Sequence, residues 1–329
     1  MLLYIIRRVL FMIPTLIVIS MISFAIIQLP PGDFLTSYAA QLRSQGEQVD
    51  DAQIEALRQR YGLGQPLYIQ YGKWISGILL RNDWGQSLEQ QRPVKELIWE
   101  RLALTVVLSG AALLVSWFIA IPIGVYSATH QYSWLDYLLS LFSFVGLGTP
   151  GFLLALLVMY WAQSYWGLNV GGLFSEKYIL APWSWAKIVD MLKHIWIPLI
   201  IIAVGSTAGN IRITRANLLD ELNKPYVETA RAKGLKEGKL IWKYPVRVAL
   251  NPFFSTVGWS LATLISGVTL VSLVLNLDTT GPLLLRALTS QDMYLAGSFI
   301  LLLSTLTVVG TLLSDILLAL VDPRIRLDR

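Results

Sequence analysis

Long apolar runs without a single ionisable charge most constrain what this chain can become. Val9–Leu29, Leu102–Thr129, Tyr137–Ser175, Ile195–Ile211 and Val248–Leu277 contain no Asp, Glu, Lys or Arg, and Met293–Val321 contains only Asp315. The hydrocarbon core of a bilayer is about 30 Å thick and takes about 20 apolar residues of helix to cross. Inside it every backbone N–H and C=O must be bonded within the protein, which a helix does by itself. Charged residues make up 14% of the chain, against about 25% in soluble domains. The expected fold class is therefore all-α: a polytopic membrane protein with about six transmembrane helices.

The first run follows Arg7 and Arg8. Ser37-Tyr38-Ala39 would serve as a cleavage site, but the run exceeds the roughly 7–15 residues of a secretory signal core, so a retained span is expected. Pro122 and Gly124 lie in the second run. The third is too long for one simple span. Gly146, Gly148, Thr149, Pro150 and Gly151 interrupt it, predicting a kinked or broken helix followed by a loop. The fourth span is expected to end at Arg212 and Arg215. The chain thus divides into residues 1–30 (N-terminus and first span), an extracytoplasmic segment 31–101, and a transmembrane core 102–329 with a basic loop at 220–247. In the segment 31–101, Asp50–Tyr61 shows helical spacing of Ile54, Leu57 and Tyr61. Tyr68, Tyr71, Trp74 and Trp84 are expected to pack it or to lie at headgroup level.

Six spans place both termini on one side. Arg7 and Arg8, the C-terminal Arg324, Arg326 and Arg329, and the Lys and Arg residues between Arg212 and Arg247 then share a face. By the positive-inside rule that face is cytoplasmic. An excess of positive charge gathered in these loops gives no reason to invoke nucleic acid.

Catalytic signatures are missing. Gly238-Lys239 is followed by Leu240, so no phosphate-binding loop is present, and H-E-x-x-H and G-x-S-x-G are absent. The chain has no cysteine and two histidines, which leaves no metal or thiol chemistry to expect. The spans lack the buried ionisable groups that ion-coupled carriers use; Asp315, near one end of the last span, is read as a helix-end polar residue. No catalytic residue, bound cofactor or metal is expected, and any driving energy must come from another polypeptide.

The segment Asp220–Pro252 carries the most information. Lys224-Pro225 opens a helix, Gly234 is placed to end it in the left-handed region, and Leu235–Tyr244 forms a second short helix stopped by Pro245. The run Tyr226, Glu228, Thr229, Ala230, Arg231, Ala232, Lys233, Gly234 and Leu235 resembles the "EAA" coupling loop of ABC importer permeases. It is most similar to the T-A-R-A-K-G-L form of the dipeptide/oligopeptide/nickel branch. The resemblance continues in Pro31-Gly32-Asp33, Tyr61-Gly62-Leu63, Gln65-Pro66, Asp83-Trp84-Gly85-Gln86-Ser87, Pro93-Val94, Glu100-Arg101-Leu102 and Asp322-Pro323-Arg324. It covers nearly the whole chain and points to the first, B-type permease of a pair. Tyr244-Pro245 departs from the His-Ala pair common in that branch.

The resemblance implies a type I ABC importer permease fold in a bacterial cytoplasmic (inner) membrane. It implies a second homologous permease subunit, two cytoplasmic ATP-binding subunits that carry the ATP and Mg, and an extracytoplasmic solute-binding protein. The residues from Tyr226 to Leu235 would couple to the ATPases, with Ala230 and Ala232 packing against them. Gly146 to Gly151 would line the path or a gate. The implied cargo is di- or oligopeptide; nickel or another small solute fits the same architecture, and a self-sufficient carrier or channel is the reading of another class.

Overall fold

The computed structural model describes residues 2–28, 55, 59, 65–87, 89–168, 170–179, 181–290 and 292–321. Pro31–Asp33, Tyr61–Leu63, Asp322–Arg324 and, apart from Glu55 and Gln59, the helix expected over Asp50–Tyr61 lie outside the described residues. Regular structure among the described residues is helical, with one isolated bridge between Gln86 and Pro93.

In chain order the helices are α1 (Leu2–Gln28), α2 (Leu67–Arg81), α3 (Val94–Thr129), α4 (Trp134–Gly148), α5 (Gly151–Trp166), α6 (Glu176–Ile179), α7 (Trp185–His194), α8 (Trp196–Leu222), α9 (Pro225–Ala232), α10 (Glu237–Lys243), α11 (Pro245–Ala249), α12 (Asn251–Ser255), α13 (Val257–Val274), α14 (Thr280–Thr289) and α15 (Met293–Val321). Four contain segments long and apolar enough to cross a bilayer: Ile5–Ile26, Val94–Thr129, Trp196–Leu222 and Tyr294–Leu320. The pair α4 and α5 forms a fifth, bent by 101° at its break. Among the described residues that makes four, or five with the bent pair, against the expected six; the 18 uncharged residues of α13 reach about 27 Å at 1.5 Å per residue.

Three boundaries differ from the sequence expectation, each for a local reason. Helix α8 does not stop where the apolar run ends at Arg212 and Arg215 but continues to Leu222, and both arginines find partners along α4. The helix that carries span two starts earlier, at Val94, with charged residues in its first two turns. Span five is not one run: Pro245 and Pro252 each open a new short helix, so α11, α12 and α13 follow in steps. Proline has no N–H to give to the preceding turn, which is why it begins helices rather than continuing them.

Two compact units are present. The first comprises Leu104–Pro282 with Met1–Ile5 and Val309–Arg329. In it α8 is the central helix, packed along α4, α5, α11 and α13. Gly124 lets α3 approach α8 closely: a Cβ there would lie 2.5 Å from that of Thr214.

The second unit comprises Ile6–Ala103 and Leu283–Val308. Its core joins Phe24, Trp74, Leu97, Ile98, Tyr294 and Phe299. Tyr71 meets the Phe24 ring edge-on and its hydroxyl bonds Ser20 at 2.7 Å. The Asp83–Ser87 stretch is fastened to the start of α15 by Asp292, which is 1% exposed. Ser87 Oγ donates to Asp292 Oδ2 at 2.5 Å, and the Leu295 amide donates to Oδ1 at 3.3 Å. Asp292→Ala strands these donors in a buried site, at about 1–3 kcal/mol. Thermal unfolding of the detergent-solubilised chain is expected to begin several degrees lower, with faster protease cutting between Asn82 and Arg92. An unchanged melting curve and cutting rate would show that Asp292 does not hold this stretch.

Candidate functional site

The α9–α10 element is built from short helices around its own small core. Pro225 occupies the first turn of α9. Glu228 also lies there, where a carboxylate complements the partial positive charge of a helix N-terminus. Gly234 has φ +77° and reverses the chain between the two helices; a side chain at that φ is strained whatever the space around it. Val227 and Leu240 are fully buried and Ala230 nearly so, with Leu235, Ile241 and Tyr244 packed against them.

Ile241 also packs on a neighbouring cluster of Val125, Ala128, Leu218, Val246 and Ala249. The element is thereby seated on α3, α8 and α11. Tyr226 fixes α9 to the end of α8: its hydroxyl donates to Glu221 Oε2 at 2.5 Å. Burial, and then this bond, push the phenol's pKa upward. Arg231 Nε donates to Glu237 Oε1 at 2.5 Å, clasping α9 to α10. The arginine holds the Glu237 carboxyl below its ordinary pKa. Both groups are exposed, so the clasp sets geometry more than stability.

This arrangement sorts the residues that the sequence singled out. Tyr226, Glu228, Thr229, Arg231, Ala232, Lys233 and Gly234 are exposed, and Leu235 is half-buried. Ala230 is turned into the element's own core, whereas Ala232 is open. What remains outward is a patch of small, charged and hydroxyl side chains on a backbone fixed to α3, α8 and α11, a shape suited to docking and to passing on a push.

The break between α4 and α5 is where the sequence places it. A Cβ on the buried Gly146 would lie 3.3 Å from Ala208 and Val204 of α8, and one on Gly151 would lie 3.3 Å from Val271 of α13. Both glycines thus allow close helix approach. Thr149 is extended and its hydroxyl bonds the Val145 carbonyl at 2.8 Å, Pro150 precedes α5, and Gly148 opens onto empty space.

Sequence reasoning missed Asp136. It is 2% exposed and accepts from Arg215 Nη2 and the Tyr132 amide, each at 3.1 Å. Ser133 caps α4 by accepting from the Asp136 amide. The signal was available: a Ser followed three residues later by an acid marks a helix start, and a carboxylate inside a long apolar context calls for a partner. Asn210 and Ser116 form a second polar link, between α8 and α3, at 3.0 Å.

The family model described as "Binding-protein-dependent transport system inner membrane component" matches residues 120–327, and its N-terminal companion matches residues 1–109. The chain is 35% identical over 324 residues to the "Oligopeptide transport system permease protein AppB" of Bacillus subtilis (strain 168), covering 98% of each chain. It is 31% identical over 340 residues to the "Dipeptide transport system permease protein DppB" of Alkalihalophilus pseudofirmus, covering 99% of this chain and 100% of the relative. It is 29% identical over 323 residues to the "Glutathione transport system permease protein GsiC" of Salmonella paratyphi A, covering 98% of each. Matched from end to end and built of apolar helices, this multi-pass chain belongs to the binding-protein-dependent inner-membrane permeases of the ABC importers.

Proposed function

We propose that the chain is one permease subunit of an ATP-driven importer of short peptides, and that α9–α10 is the knob through which ATPase subunits move it. The carrying observation is the exposed patch from Tyr226 to Lys233 on an element whose underside is packed into α3, α8 and α11. The cargo reading follows the names of the oligopeptide and dipeptide relatives. A second, homologous permease completes the path. Two cytoplasmic ATP-binding subunits hold the ATP and Mg, and this chain holds no cofactor. A solute-binding protein delivers cargo on the other face. Both termini and the knob lie in the cytoplasm, on the side marked by the arginines and lysines. Gly146 to Gly151 form part of the path or its gate, since helix breaks in membranes sit where they line cavities.

On this reading Glu228, Thr229, Arg231, Ala232 and Lys233 contact the ATPase, Gly234 sets the turn, and Ala230 supports from beneath. The test is to tag the chain, solubilise the native membrane gently, and assay the eluate. A second permease, nucleotide-binding subunits and vanadate-sensitive hydrolysis are the expected result. Glu228→Lys, on the surface, should keep the assembly yet cut peptide uptake per ATP hydrolysed about tenfold, the loss expected when one charge-assisted contact becomes a repulsive one. A chain recovered alone and inert would overturn the proposal.

A further inference from the structure

Asp136 and Arg215 are joined by one hydrogen bond where their shapes allow two. Arg215 Nη2 donates to Asp136 Oδ2 at 3.1 Å. The other atoms of the same two groups, Arg215 Nε and Asp136 Oδ1, are buried, and among the described residues neither has a hydrogen-bond partner. A guanidinium edge carries Nε and Nη2 side by side, spaced to meet both oxygens of a carboxylate. Buried polar atoms without a partner are uncommon and destabilising. A pair that served only as a fixed brace would be expected to make the second bond.

The pair stands between the coupling element and the break at the end of α4. Helix α8 runs unbroken from Trp196 to Leu222, and Tyr226 fixes α9 to Glu221 in its last turn. Arg215 lies two turns before Leu222, about 10 Å along a stiff helix. Asp136 sits in the first turn of α4. Its Oδ2 also accepts from the Tyr132 amide at 3.1 Å. Tyr132 has φ +61°, a left-handed conformation that a bulky residue holds only where its surroundings impose it. Ser127 of α3, 1% exposed, lies against the same carboxylate. One carboxylate thus gathers α8, the start of α4, the strained turn before it and the end of α3. At the other end of α4, Thr149 and Pro150 lead into α5 through the 101° bend.

We infer that Asp136 and Arg215 form a two-position clasp that passes movement from α8 to α4. In this structure the clasp is half closed. When the coupling element drives α8, Nε meets Oδ1, the second bond forms, and α4 is drawn along with its broken end. The inference rests on the importer reading above and adds the residues that carry its motion. Both are positioning residues, acting through the helices that they join.

The experiment uses the complete complex in proteoliposomes, with a labelled tripeptide that the binding protein captures. Peptide moved per ATP hydrolysed is measured beside the thermal stability of the same complex in detergent. Arg215→Lys keeps the charge and one hydrogen bond but lacks the planar fork. It should assemble, melt and hydrolyse ATP like the wild type, yet move about tenfold fewer peptides per ATP, the worth of one hydrogen bond to a charged group. Asp136→Asn and Arg215→Gln, each alone, strand a buried charge and should lower thermal stability. Combined, they remove both charges, and much of the stability should return while the coupling does not.

A fixed brace predicts the opposite: Arg215→Lys transports normally, and coupling returns with stability in the double variant. Either result overturns the clasp. If Arg215→Lys fails to assemble, the double variant decides alone. A wild-type complex that moves no peptide sinks the peptide-importer reading instead, and that failure shows before any variant is made.

Discussion

Leu240→Asp should abolish ATP-driven uptake while leaving the chain inserted and paired in its membrane. Leu240 is fully buried, and among the described residues Val227 and Ala230 share its core as buried residues. Helices of eight and seven residues are well below the roughly 12–15 at which isolated helices become marginal in water, so this contact holds the element in shape. An unpaired carboxylate in such a site costs several kcal/mol or draws water in after it, enough to melt α9 and α10 locally. Leu240→Ala, a cavity worth about 2–4 kcal/mol, should give an intermediate loss. The measurements are peptide uptake, ATP hydrolysis and recovery of partner subunits from the same membranes. Uptake should fall below detection in the Asp variant, with the ATP-binding subunits lost from the pull-down and the second permease retained. Wild-type uptake in Leu240→Asp would show that force reaches the spans by another route.

Much of this was legible in the sequence, because the forces involved are short-range or come from the solvent. Apolar runs pointed to the long helices, and the last, expected over about Met293–Val321, is a helix with those bounds. Pro225 and Gly234 specified the ends of α9 through backbone geometry alone. The misplacements have a common physical source. Arg212 and Arg215 end an apolar run, yet the helix that holds them continues to Leu222. Their partners, Phe144 and Asp136, stand 68 and 79 positions away in sequence, and only the packing of α4 on α8 reveals them. Ala230 and Ala232 are alike in sequence and differ only in which side of α9 the core occupies. The glycines make the same point. Gly146 and Gly151 were read as helix breakers, and they break the helix, but each also lies where a neighbouring helix leaves little room for a side chain.

A closer approach, backbone to backbone, lies where α13 meets α15. A Cβ on Gly258 would fall on the backbone of Gly310 and Thr311, and one on Gly310 would lie 3.1 Å from the Gly258 Cα. The Gly258 amide also donates to Ser314 Oγ at 2.6 Å. In lipid the helices gain nothing from leaving water, so association rests on close packing of small residues and on polar links of this kind. Gly258→Val removes the approach altogether, and Gly258→Ala forces the backbones apart. Gly267 is the internal control: it lies on the same helix with nothing within 4 Å of where its Cβ would sit. Alanine favours a helix over glycine by about 1 kcal/mol at either position, so propensity alone predicts that both alanine variants gain stability. Packing predicts opposite outcomes. Gly267→Ala should match or exceed the wild type in membrane level and in thermal stability in detergent. Gly258→Ala should fall clearly below it, and Gly258→Val should leave little folded chain. If Gly258→Ala and Gly267→Ala behave alike, the two helices do not cross at these glycines, and α13 must be held by other contacts.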